Sequence, residues 1–242
     1  MASELTNDGS VIWSTLAEPR HGFARALARQ RALTAVVFAT LLTLLATGLI
    51  LPFIDAEAVA GESLRPDMTP HERTQAIETA TKLHQVTTWG AAAVGPVASA
   101  FSLAVALWLS FWVAGAKTGF KAAFTVAAHA LVPQAIKALL IVPAARVRAP
   151  VSPADLSNLL PSSLTAWLPS SLSLPGPAMA AVDAFDLFTL WSLALIGSGM
   201  AKASGASKLR TAIVLLVLFA AYIAVFKVVP SAGSFGSHGG AS

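Results

Sequence analysis

The chain contains no cysteine. That excludes a disulfide framework, a thiolate metal centre and a cysteine nucleophile together. Charge is scarce as well: Asp, Glu, Lys and Arg make up 12% of 242 residues, where a soluble domain carries about 25%. So few charged side chains do not cover a water-facing surface. With 55% hydrophobic residues and a mean hydropathy of +0.69, the sequence reads as an integral membrane protein. Its net charge of +4 comes with no basic stripe interleaved with aromatics, so no nucleic-acid partner is expected. There is no repeat of fixed period and no appended soluble domain. "GSG" at 197–199 lacks the G-x-S-x-G nucleophile elbow, and "GAKTG" at 115–119 lacks the first glycine of a phosphate loop. No catalytic residue, metal or cofactor is therefore expected, and the protein reads as a non-enzyme.

What the chain has in abundance is apolar length. Residues 32–54 carry no charge, and a helix of that length rises roughly 34 Å, enough for a hydrocarbon core of about 30 Å. Further spans are expected at about 89–115, 119–143, 178–200 and 209–229, interrupted by Pro96, Pro133 or polar residues. Four arginines, Arg20, Arg25, Arg29 and Arg31, precede the first span, and Asp55, Glu57 and Glu62 follow it. This asymmetry predicts an inside N-terminus and, with five spans, an outside C-terminus. The fold expected is an all-α bundle of five transmembrane helices.

Three non-spanning pieces have their own signatures. "VIWSTLAEPRHGFARALARQ" at 11–30 mixes Trp13, Leu16, Phe23 and Leu27 with arginines, the pattern of an amphipathic helix whose basic face meets anionic headgroups at the inner surface. "TPHE" at 69–72 is a capping box with proline at the first helical position. No Gly or Pro interrupts the chain from there to Gly90, so an extended outer helix is expected to run on into the second span. The connection 146–177 holds six prolines and predicts short interfacial turns. Residues 1–31 are thus read as a cytoplasmic segment, 32–229 as the membrane domain and 230–242 as a flexible tail.

Any intramembrane chemistry rests on His129, Lys137, Asp183 and Asp186. An aspartate at a span centre costs roughly 2.5 to 3.5 kcal/mol, against about 0.3 to 0.6 returned by each Leu, Ile, Phe or Val. Two of them in "AVDAFDLFTLW" (181–191) need shelter. Lys137 matches Asp183 and Asp186 in depth below the outer surface, and His129 lies two turns deeper on the stripe it shares with Pro133 and Lys137. The expected result is a polar seam between the third and fourth spans, either structural glue or a proton pathway. A second expectation concerns contact with partners or lipid. Ala93 and Ala100 in the small-residue tract 90–100, with Trp108, Phe111 and Trp112, form a face on which another helix packs closely. Arg20, Arg25 and Arg29 face lipid headgroups.

"GFKAAFTVAAHALVP" (119–133), followed by "DLFTLWSLALIGSGMAKASGASKLRTA" (186–212), resembles the Yip domain family of Ypt/Rab-interacting multi-pass membrane proteins, in its bacterial branch. The matching residues are Gly119, Phe120, Lys121, Pro133, Asp186, Phe188 and Trp191, with Gly205, Ser207 and Lys208 in an inner loop. The aspartate-leucine-tyrosine-glycine-proline motif of the eukaryotic trafficking members is absent, so Rab binding is not carried over. His129 stands where the resemblance implies an aromatic. The resemblance implies a five-helix fold in a cell membrane, expected to be a bacterial inner membrane, and a role as a scaffold or accessory subunit that contacts other membrane proteins and organises lipid. A small proton-coupled carrier using the polar seam is the alternative.

Overall fold

The computed structural model describes residues 2–29, 31–169 and 174–229, together with the side chains among them except those of 2–9, 29 and 62. The expected tail 230–242 and the Arg29 side chain lie outside the described residues. The described chain is helical: α1 (Ala2–Ala17), α2 (Pro19–Arg29), α3 (Ala32–Ile50), α4 (Ala56–Ala60), α5 (Pro70–Val113), α6 (Phe120–Ala130), α7 (Val132–Arg148), α8 (Gly176–Asp183), α9 (Leu187–Ser204) and α10 (Lys208–Ile223). Among the described residues, β-pairing is limited to two isolated bridges. Four stretches are long and apolar enough to cross a membrane: Ala32–Phe53, Pro70–Val113, Phe120–Arg148 and Lys208–Val228.

The elements begin where local chemistry dictates. Thr69 opens α5 as expected: its backbone N–H donates to Glu72 Oε2 at 2.8 Å, and the Glu72 N–H donates to Thr69 Oγ1 at 3.3 Å. The helix then runs for 44 residues without a break, through Pro96. The six-proline connection forms short 3₁₀ turns at Pro153–Asn158 and Leu164–Trp167, because proline presets φ and removes the donors a longer helix needs. Gly205, at φ +65°, ends α9 in the left-handed region, and Ser207 caps α10 by accepting from the Arg210 N–H.

Two expectations about continuity need correction. The segment 11–30 is not one helix. Glu18 separates α1 from α2 and Pro19 occupies the first position of α2, where a missing N–H costs nothing. The segment expected to span at 178–200 is also broken, between α8 and α9, and α9 keeps only 18 residues.

The chain divides into two compact units, Met1–Val36 with Ser99–Gln134 and Pro161–Ser242, and Val37–Ala98 with Ala135–Leu160. In the first unit α2 packs on α6 and α9, which run antiparallel. Gly199 of α9 meets Val126 of α6, while Gln134 Nε2 donates to Thr189 Oγ1 at 3.3 Å. Phe23 and Ala26 of α2 are fully buried, as are Val126 and Leu195. A smaller cluster gathers Ala32, Ala35, Val36, Ala100 and Ala128. In the second unit, Ala145, Val151 and Leu159 form a cluster with Phe53, Ile141 and Leu156 around it. There the Val151 N–H donates to Phe53 O and the Asp55 N–H to Val151 O, both at 2.9 Å. Asp55 caps α4 through the N–H groups of Glu57 and Ala58.

The α1–α2 turn depends on a glycine. A Cβ on Gly22 would lie 2.3 Å from both Cα and N of Thr15, a backbone clash that no rotamer relieves. Gly22→Ala is therefore expected to destabilise the protein by about 1 to 3 kcal/mol, read as a lowered melting temperature in detergent. Gly90→Ala, where the new Cβ meets open space, should hold or raise stability.

A helix break held by two aspartates as the candidate functional site

The break between α8 and α9 lies at Asp186. Its backbone is extended (φ −99°, ψ 142°), and its Oδ1 accepts from the N–H groups of Phe188 at 2.9 Å and Thr189 at 3.3 Å. Asp186 is thus the N-cap of α9, satisfying two donors that a helix start leaves open. Its other oxygen, Oδ2, accepts from the Ser162 hydroxyl. The loop carrying Ser162 lies along the break: the Leu164 N–H donates to Phe185 O at 3.0 Å, and the Leu187 N–H to Ser162 O at 2.9 Å. An interrupted helix in a buried setting needs such partners, since its freed backbone groups have no water to answer them. Asp186 itself is 4% exposed.

Asp183 has a different role. At the end of α8, its Oδ2 lies 3.4 Å from the Lys227 ammonium and its Oδ1 accepts from Thr165 Oγ1 at 3.1 Å. Lys227 sits in a π-helical turn, Ala224–Val228, that continues α10. Phe219, one turn before Ile223, meets Phe185 edge-on at 5.5 Å between centroids. The ion pair and the aromatic contact join α8 and the break to the end of α10. The depth match expected from the sequence pointed Asp183 to Lys137, whereas the structure pairs it with Lys227, 44 residues along the chain. Ser162, Thr165 and Gln134 carried no comparable signal, because their loops and registers are set by tertiary contacts.

His129 belongs to the core of α6. It is 1% exposed, its ring meets Phe23 edge-on at 5.8 Å, and its Nδ1 lies 2.8 Å from Thr125 O. A carbonyl only accepts, so Nδ1 carries a proton; Nε2 has no hydrogen-bond partner among the described residues. The Val126–Gly199 and Gln134–Thr189 contacts place His129 level with about Leu195, roughly 13 Å along α9 from Asp186. His129 and Asp186 are therefore brought to the same helix pair but not together. Lys137 lies on α7 in the second unit.

The other expected residues divide by burial. Pro133 is fully buried and Phe188 is 8% exposed. Gly119 is the N-cap residue of α6. Phe120 meets Phe101 and Trp108 edge-on and stacks on Phe124. Trp191 is half-buried, and Lys121, Arg20 and Arg25 are exposed. On α5, Ala93 and Trp112 are exposed, Trp108 is half-buried, and Ala100 and Phe111 are fully buried. Ala100 and Phe111 are thus taken up by the chain's own packing and are withdrawn from the expected contact face. Among the described residues no cluster of His, Asp and Glu has the makings of a metal site.

A helical chain with four membrane-length apolar stretches, the two aspartates of its α8–α9 break engaged in capping and pairing, defines a multi-pass membrane protein. The Yip1 domain family model matches residues 13–229, and the chain belongs to that family, whose members are membrane proteins not known as enzymes. Comparison with curated proteins and with solved structures gives no match.

Two outcomes follow from the broken helix. Asp186→Ala removes a cap and should cost about 1 to 2 kcal/mol, seen as a lower melting temperature. Asp186→Asn keeps an accepting oxygen and should cost less. In a double-mutant cycle, Lys227→Met and Asp183→Asn should couple favourably, but by no more than about 1 kcal/mol because both side chains are about one-third exposed. Strict additivity would show that the pair contributes nothing.

Proposed function

We propose that the protein is a non-enzymatic scaffold or accessory subunit within a larger membrane assembly, and that it also orders anionic lipid at the inner face. The observation that carries this reading is the division of labour among its residues. Both aspartates of the fourth apolar segment are committed to the chain's own architecture, Asp186 to at least three donors and Asp183 to Lys227 and Thr165. A carrier needs such groups free to exchange protons. The long helices, by contrast, leave broad apolar faces open. Exposed positions on α5 include Ala93, Val94 and Val97 in one unit, and Trp112 and Val113 in the other. In lipid there is little hydrophobic drive between helices, so a partner would be held by close approach at small residues and by aromatic contact area.

In this reading residues 32–229 are a membrane domain that crosses five times, α8 and α9 together supplying the fourth crossing, with the N-terminus inside and the C-terminus outside a bacterial inner membrane. Arg20 and Arg25 then meet the headgroups of the inner leaflet.

Two measurements test the reading. Single cysteines at Ser10, Ser63 and Ser237 should show protection at Ser10 and labelling at the other two by an impermeant thiol reagent in intact cells; the reverse pattern inverts the topology. Purification at native abundance should bring down other membrane chains in stoichiometric amounts, and Ala93→Leu or Trp112→Ala should release them while the melting temperature holds. A chain recovered alone from native membranes overturns the subunit role.

A further inference from the structure

The first unit contains a cavity of about 630 Å³ between α2, α9 and α10. At one end stand three cations: Arg20 in the first turn of α2, Lys202 in the last turn of α9 and Lys208 at the first position of α10. No carboxylate lines it, and the three cations enter none of the ion pairs of the described residues. Like charges converging on one space raise each other's energy unless an anion joins them. A second and independent feature points the same way. Thr211 lines the cavity and is 3% exposed, and its hydroxyl has no hydrogen-bond partner among the described residues. A buried hydroxyl without a partner is costly, and one donor beside three cations suits an oxyanion.

The other end of the cavity is apolar. Ala194 and Leu215 lie about 12 and 10 Å deeper along their helices than Lys202 and Lys208. Between them the walls are close: a Cβ on Gly197 would sit 3.3 Å from Leu215 Cδ1. A soluble phosphate would use only the charged end, whereas an amphiphile with an anionic head uses the whole length. A neighbouring cavity of about 270 Å³ shares Lys202 and adds Lys121, extending the cationic end.

We propose that this cavity binds an anionic phospholipid of the inner leaflet, its phosphate held by Arg20, Lys202, Lys208 and the Thr211 hydroxyl, and the start of an acyl chain lying between α9 and α10. The proposal rests on the reading that places α2 and the α9–α10 loop at the inner face. That placement is tested by the cysteine labelling above, whereas binding to solubilised protein tests the site whatever the orientation, so the two can fail separately.

The experiment uses the full chain in an uncharged detergent and follows the anisotropy of acyl-labelled phosphatidylglycerol and phosphatidylcholine. Phosphatidylglycerol should bind at least tenfold more tightly. The Lys202→Gln, Lys208→Gln double variant should lose roughly thirtyfold, the effect of two basic groups near an anionic headgroup, and Ala212→Trp, which fills the apolar half, should also lose binding. Lys117→Gln, which removes one charge outside the cavity, should leave it intact. Melting curves verify folding, and if the double variant does not fold, Arg20→Gln at the rim takes its place with a smaller expected loss. Equal binding of the two lipids, or full binding by a folded variant of the cavity's own cations, overturns the proposal. So does displacement of the lipid by millimolar inorganic phosphate with no effect of Ala212→Trp, which would make the cavity a site for free phosphate.

Discussion

The cap at Asp186 is the constraint on which much of the first unit depends. One carboxylate oxygen takes the N–H groups of Phe188 and Thr189, the other takes the Ser162 hydroxyl, and the backbone on either side is completed by Leu164 and Ser162. With those partners, the backbone groups freed by the helix interruption are satisfied within the chain. The interruption lets α8 end at Asp183, beside Lys227, while α9 starts afresh and runs down α6. A continuous helix through 176–204 would place both carboxylates on one face with their charge unrelieved; the break turns one into a cap and the other into half of an ion pair.

Close approach is the second organising feature. Val126 and Phe23 crowd the Cα of Gly199, where an added Cβ would lie 2.8 Å from both Val126 methyls and 3.0 Å from Phe23 Cε1. Gly22 performs the same service against Thr15. Small residues at these points let α2 settle on α6 and α9, as expected where packing and not hydrophobic expulsion holds helices together. His129 is sealed beneath Phe23 as a consequence. Its Nδ1 proton is held by the Thr125 carbonyl of the preceding turn, so the side chain that looked most like a proton relay is oriented first of all by its own helix. The same settlement of α2 carries Arg20 to the cavity that it shares with Lys202 and Lys208.

Most local chemistry was legible in the residues themselves. The absence of charge across 32–54, the Thr69–Glu72 box with Pro70 behind it and the prolines of 146–177 all act within a few residues. The structure accordingly has a helix at Ala32–Ile50, a capped 44-residue helix from Pro70 and short 3₁₀ turns where they were expected. The family resemblance, carried by Gly119 to Pro133 and Asp186 to Trp191, extends over nearly the whole chain. Pro19 is a local signal that competes with periodicity in 11–30: the hydrophobic pattern runs through it while the backbone does not.

What no local pattern contained was which distant group would answer each polar residue. "AVDAFDLFTLW" has the composition of a span and the turn chemistry of an N-cap, and periodicity alone does not choose between them. The choice fell to Ser162, Leu164 and Lys227, which lie about twenty or more residues away in sequence and complete the bonds that make the break stable. The burial of Ala100 and Phe111, on a helix whose neighbouring residues are exposed, was decided in the same way, by the helices that came to lie against it. The sequence by itself determined the solvent this protein lives in, four of the segments long enough to cross it and the family to which it belongs, since those follow from transfer energies and contacts between near neighbours. The tertiary structure alone decided the distant partners of Asp183 and Asp186, since satisfying a polar group beyond its own turn depends on which atoms the fold brings within about 3 Å.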